Sequence, residues 1–136
     1  MRHFLLKTDP ATYSATDLER ERRTVWDGVT NPQAAGFIRQ MKPGDRALIY
    51  HSGSEPGIVA LAKVVSEPRQ DAKNPKSWVV EVEFLRWISP PLPLKEIKDC
   101  GRFGGWALVR QGRLSAMDAP EEFLDWMRAR YPALKL

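Results

Sequence analysis

A single cysteine, Cys100, stands among 136 residues, so no internal disulfide can form and the chain reads as a protein of a reducing compartment. No apolar run approaches the roughly 18 residues a membrane span needs. The opening run His3-Phe4-Leu5-Leu6 is too short for the apolar core of a secretory leader. Together these point to a cytoplasmic protein with no membrane partner. Two histidines, His3 and His51, and one cysteine share no close spacing, which excludes a zinc signature and leaves a thiol–imidazole pair without support. No glycine pattern between a strand and a helix cradles a phosphate: Gly101, Gly104 and Gly105 read as turn glycines. Glu81 and Glu83 sit two apart on one strand face and read as solvated. The chain is therefore expected to carry no metal and no cofactor.

What is present is enough for one core. Hydrophobic residues at 43% against charged residues at 28% exclude global disorder, and the length suits a single domain, residues 1–136. The net charge of +4 is unevenly spread. Between Arg86 and Arg113 stand six cations (Arg86, Lys95, Lys98, Arg102, Arg110, Arg113) and two anions (Glu96, Asp99), so this stretch accounts for all of it. A solvated basic face and a surface that concentrates phosphate are equally good accounts of that excess.

Along the chain, Arg2 to Lys7 reads as a buried strand stopped by Thr8-Asp9-Pro10. Ser14 and Asp17 have capping-box spacing and predict a helix over residues 15–22. Thr24-Val25-Trp26 is a strand fragment ending at the turn Asp27-Gly28. Asn31 followed by Pro32 predicts a helix start, with Ala34, Phe37, Ile38 and Met41 as its apolar stripe. Strands are predicted over residues 47–52, 57–65 and 78–88, the last alternating Trp78, Val80, Val82 and Phe84 against Glu81 and Glu83, and ended by Pro90, Pro91 and Pro93. Residues 66–77 read as a polar loop and residues 94–99 as a short helix. Asp118 is expected to cap a last helix reaching Arg130, with Phe123, Leu124, Met127 and Tyr131 facing the core. Strands interrupted by short helices without regular alternation favour α+β. The five strands could close into a small barrel with helices outside.

Tryptophan is the residue in excess, with five copies. Each is more often core than platform, although indole faces suit stacking on a flat base. Trp26 is the exception. It ends a short strand and is followed by a polar turn, so its ring is expected at a sheet rim, where pockets form.

Ordered words along the chain resemble the EVE domain: Leu6-Lys7-Thr8-Asp9-Pro10, Tyr13-Ser14, Thr24-Val25-Trp26-Asp27-Gly28-Val29-Thr30-Asn31, Lys42-Pro43-Gly44-Asp45, Tyr50-His51-Ser52, Gly57-Ile58-Val59-Ala60, and Leu108-Val109-Arg110-Gln111-Gly112-Arg113-Leu114-Ser115. The resemblance implies a PUA-like fold, a small, partly open β-barrel with peripheral short helices, and kinship with the base-reading YTH domains. It implies a non-catalytic module that reads a modified base of DNA or RNA in an aromatic-lined pocket, working as a monomer. Carried over, Lys7 and Thr8 end the first strand at the pocket, and Trp26 stacks on the base. Asn31 either bonds the base edge or caps its helix, while His51 and Ser52 close the rim. Arg110, Gln111, Arg113 and Ser115 form a basic loop toward phosphate or base edge. Phe4 stands where the family usually has Trp, Thr8-Asp9 where it has Ser-Glu, and Pro32 where an aromatic is common, which changes the reach of the pocket. Two alternatives come with the fold group. One is hydrolysis of modified nucleosides, as in ASCH proteins, with Lys7 and Asp9 or Asp27 recruited. The other is a protein-interaction domain whose basic face binds an acidic partner.

Overall fold

The computed structural model describes residues 1–136. Strand β1 (His3–Thr8) lies between β3 (Arg46–His51), to which it is parallel, and β7 (Ala116–Asp118), to which it is antiparallel. Beyond β3 follow β4 (Gly57–Val64), the long β6 (Asn74–Pro93) and β2 (Arg23–Trp26), all antiparallel, giving the order β2-β6-β4-β3-β1-β7. A three-residue strand, β5 (Arg69–Asp71), pairs with the start of β6. The sheet curls into a half-barrel whose two edges, β2 and β7, do not meet. Short helices sit around it: α1 (Ala15–Glu21), α2 (Pro32–Gln40), α3 (Leu94–Asp99), α4 (Ala107–Arg110) and α5 (Glu121–Arg130). The expected α+β, PUA-like architecture is thus present.

Local chemistry accounts for the elements. Leu5, Leu6, Leu48, Ile49, Ile58 and Leu61 are fully buried, as β1, β3 and β4 must be when both faces are covered. Ser14 and Asp17 form the reciprocal capping box that starts α1. Pro32 occupies the first turn of α2, where its missing N–H costs nothing. Gly57 is fixed by close approach: a Cβ there would stand 2.6 Å from the Leu92 carbonyl oxygen across the β4–β6 pair.

Three expectations need correction. The prolines do not end β6, which continues to Pro93. Ala60 pairs with Trp87 and Ile58 with Leu92, so residues 88–91 bulge out of the ladder and their prolines are asked for no hydrogen bond. The polar loop over residues 66–77 contains β5 and the start of β6. Asp118 caps no helix: it pairs with Phe4 in the β1–β7 ladder, and α5 begins after Pro120 without a side-chain cap.

Candidate functional site

The parallel pairing of β1 and β3 brings their C-terminal ends to one rim, with Thr8 opposite His51 and the Ser52 N–H donating to the Thr8 carbonyl at 3.0 Å. Past Thr8 the chain turns, the Asp9 carboxylate accepting the Ala11 N–H at 2.9 Å. The Thr8 hydroxyl donates to the Tyr13 carbonyl at 2.7 Å and so fixes the return of the loop. This sets the Tyr13 ring edge-on against Trp26, centroids 6.1 Å apart and planes at 88°. Strand β2 supplies Trp26 opposite Val80 of β6, and Gly28, at φ 77°, lets the chain leave the edge strand at once.

Between these pieces lies a cavity of about 480 Å³ open to solvent. Its walls come from the end of β1 (Lys7, Thr8), the following loop (Thr12, Tyr13), Glu21 of α1, and the run from Thr24 to Gly28. Trp26 is only 7% exposed, yet it is among the residues that line this cavity. The expected rim position is therefore half right. The indole is a core residue on one side and a cavity wall on the other.

The polar groups around the ring are held in place. The Tyr13 hydroxyl donates to Glu21 Oε1 at 2.6 Å, and burial, reinforced by that hydrogen bond, pushes its pKa up to about 12. Lys7 Nζ donates to the Gly112 carbonyl at 3.1 Å and lies 5.4 Å from the Tyr50 ring centroid. Burial lowers its pKa. No carboxylate pairs with Lys7 within ion-pair distance; Asp27, which shares its cavity, is exposed at the mouth.

The remaining expected residues divide. Asn31 lies outside the cavity: its Oδ1 accepts the Gln33 and Ala34 N–H groups at 2.9 and 3.0 Å, so the capping role is the one the structure gives it. His51 and Ser52 line a neighbouring cavity with Pro10, Glu55 and Pro91. His51 Nε2 accepts the Ala15 N–H at 3.0 Å, tying the start of α1 to the β3 rim. Burial lowers the His51 pKa, which keeps the ring neutral and able to accept. Ser115 meets Lys7 through the backbone, its carbonyl accepting the Lys7 N–H at 2.9 Å. Arg110, Gln111 and Arg113 are exposed beside that contact and do not line the cavity. The Cys100 thiol donates to the Ile97 carbonyl at 3.1 Å. No group of three or more metal-ligating side chains occurs.

Sequence reasoning missed Tyr13, Thr12, Glu21 and Thr24 as cavity residues. Tyr13 carried a signal: it lies between Pro10 and the Ser14 cap, in a loop that has to fold back over the strand end.

The EVE domain model matches residues 2–130. The chain belongs to the EVE domain family. Chicken thymocyte nuclear protein 1 is 34% identical over 92% of this EVE domain, and the human protein 32% identical over 92%. The chain spans 66% of the chicken protein's length and 72% of the human one's. The crystal structure of the human protein in complex with DNA containing 5-methylcytosine superposes at a TM-score of 0.85 with 30% identity, covering 95% of this domain and 96% of that chain. A Rhodopseudomonas palustris protein superposes at 0.89 with 25% identity over the whole domain and 97% of that chain.

Proposed function

We propose that this EVE domain is a non-catalytic reader that accepts one modified base of DNA or RNA, a methylated cytosine foremost, in the cavity walled by Trp26. The observation that carries the reading is a tryptophan, Trp26, bordering an open cavity that Lys7, three threonines, Tyr13, Glu21 and Asp27 also line. The human relative's complex with 5-methylcytosine DNA supports the choice of base. The volume of about 480 Å³ falls among small-ligand sites.

The physics is one of recognition by a slot. A base swung out of its stack costs a few kcal/mol, and stacking on an aromatic ring returns about 1–3 kcal/mol. The Asp27 carboxylate at the cavity mouth suits the exocyclic amine of cytosine or adenine, as carboxylates accept from that amine in grooves. A buried methyl adds about 0.8 kcal/mol, close to a fourfold preference, so cavity shape and exclusion of water must supply further discrimination. Lys7 and the exposed Arg110 and Arg113 add phosphate attraction that weakens with salt.

Hydrolysis fits the site less well. It asks for a lysine and a carboxylate acting together, whereas Lys7 Nζ is bonded to the Gly112 carbonyl and Asp9 to the Ala11 N–H. The test is Trp26→Ala in a binding assay with methylated and unmethylated oligomers. The variant is expected to lose the preference while keeping weak, salt-dependent binding. Undiminished preference removes Trp26 as the reader.

A further inference from the structure

We propose that the cleft between α2 and the start of β6 is a second contact for the same nucleic-acid strand, a seat for the phosphodiester next to the recognised base. The inference rests on the base-reading function above and extends it to a surface outside the Trp26 cavity.

The cleft holds about 640 Å³ and is bordered by Thr30, Gly36, Arg39, Lys76 and Trp78 among others, none of them acidic. The Arg39 guanidinium lies 4.7 Å over the Trp78 ring. Such stacking holds the guanidinium plane while leaving its N–H edge free for a bidentate acceptor such as phosphate. Neither Arg39 nor Lys76 forms an ion pair, whereas Arg23 and Arg69, on the strands flanking β6, are neutralised by Glu83 and Glu81. Two uncompensated cations in a concave surface concentrate positive potential there.

Position links the cleft to the base. Trp26 is opposite Val80, and Trp78 stands two residues along the same strand on the same face, an offset of about 7 Å. The loop after β2 borders both hollows, Asp27 and Gly28 at the base cavity and Thr30 at the cleft. A strand with one base in the first therefore passes its backbone over the second. Gly36 adds an independent sign. It is a poor helix former in the middle of α2, and apart from its chain neighbours and its own helix backbone no protein atom lies within 4 Å of where its Cβ would stand. Glycine without a packing neighbour suits close approach of a ligand backbone.

The test measures binding of a 5-methylcytosine oligomer and its unmethylated twin across a salt series. It uses the double variant Arg39→Gln with Lys76→Gln, the single variant Gly36→Ala, and Lys98→Gln as a control cation on α3. The double variant is expected to lower affinity for both oligomers by about tenfold and the salt slope by about 1, for the one phosphate released, with the methyl preference ratio unchanged. Gly36→Ala is expected to raise the thermal midpoint while lowering affinity. A double variant indistinguishable from Lys98→Gln overturns the cleft and leaves the base reading standing. A wild-type protein that binds both oligomers equally sinks the base reading, and with it the assignment. Equal weakening of binding to polyglutamate shows an acidic-protein site instead and overturns the nucleic-acid assignment.

Discussion

Trp26 and Trp106 are equally exposed, at 7%, and the difference between their surroundings is where function enters this fold. Trp106 belongs to a packed aromatic cluster. Its ring lies 4.4 Å from Phe123 and 6.5 Å from Phe103, Trp126 joins from α5, and its indole N–H donates to the Asp118 carbonyl at 3.0 Å. Trp26 has one aromatic neighbour, Tyr13, and a cavity beside it. Burial is matched at both places, while the ring partners are not. What separates them is whether the ring's remaining side meets protein or open space. A ring packed among other rings contributes stability, whereas a ring beside a cavity can also bind.

The largest expected effect breaks that comparison if it fails. Phe123→Ala removes a fully buried ring from the aromatic cluster and should cost about 3–5 kcal/mol in urea denaturation, with the methyl preference of the folded protein unchanged. Trp26→Ala should cost about 2 kcal/mol despite the larger ring, because the cavity already withholds dispersion partners on one side. Equal losses would mean that position 26 is ordinary core.

Tyr13→Phe sharpens the picture at the cavity. It deletes the hydrogen bond to Glu21 and should cost about 0.5–1.5 kcal/mol. In an ultraviolet titration, wild type should show a phenol ionising late, at about 12, that the variant lacks. Because the folded pKa lies above the ordinary 10.0, the stability it supplies is present below pH 10 and is lost as pH rises toward 12. A phenol titrating at its ordinary value would show that the ring is not held at the wall.

Much of this was legible in sequence, and the gaps have physical causes. The capping box at Ser14, the Asn31-Pro32 helix start and the apolar runs of β1, β3 and β4 are local signals, and each element stands where its residues place it. β5 and β7 were not legible: three residues each hold too little alternation to show a period. The continuation of β6 past its prolines depends on a bulge, which exists only against β4. At the site, Trp26 could be read from its word, but Tyr13 and Glu21 reach the cavity by the fold-back of a loop and a helix. Asn31 shows the limit of a motif. Its word is the family's, yet its side-chain oxygen is spent on α2.

The two histidines divide between the same two regions, which gives the smallest and most selective test. His3 sits at the aromatic-cluster end, 5% exposed, with Arg128 nearby. His51 sits at the cavity end and accepts from Ala15. Burial lowers both pKa values from 6.5. Folding therefore disfavours their protonation, so the unfolded chain binds more protons in this range. The stability involved is fully present above pH 6.5 and erodes as pH falls below it. His3→Gln and His51→Gln should each flatten the fall in urea midpoint between about pH 7.5 and about pH 5. Binding should separate them. Protonating His51 removes the acceptor that ties α1 to the β3 rim, and with it the frame of the Tyr13 loop. Affinity for the methylated oligomer should thus decline below pH 6.5 in wild type and in His3→Gln, and hold in His51→Gln, whose amide oxygen can still accept. The same decline in all three proteins would detach the cavity from His51 and leave the histidine as a stability residue alone.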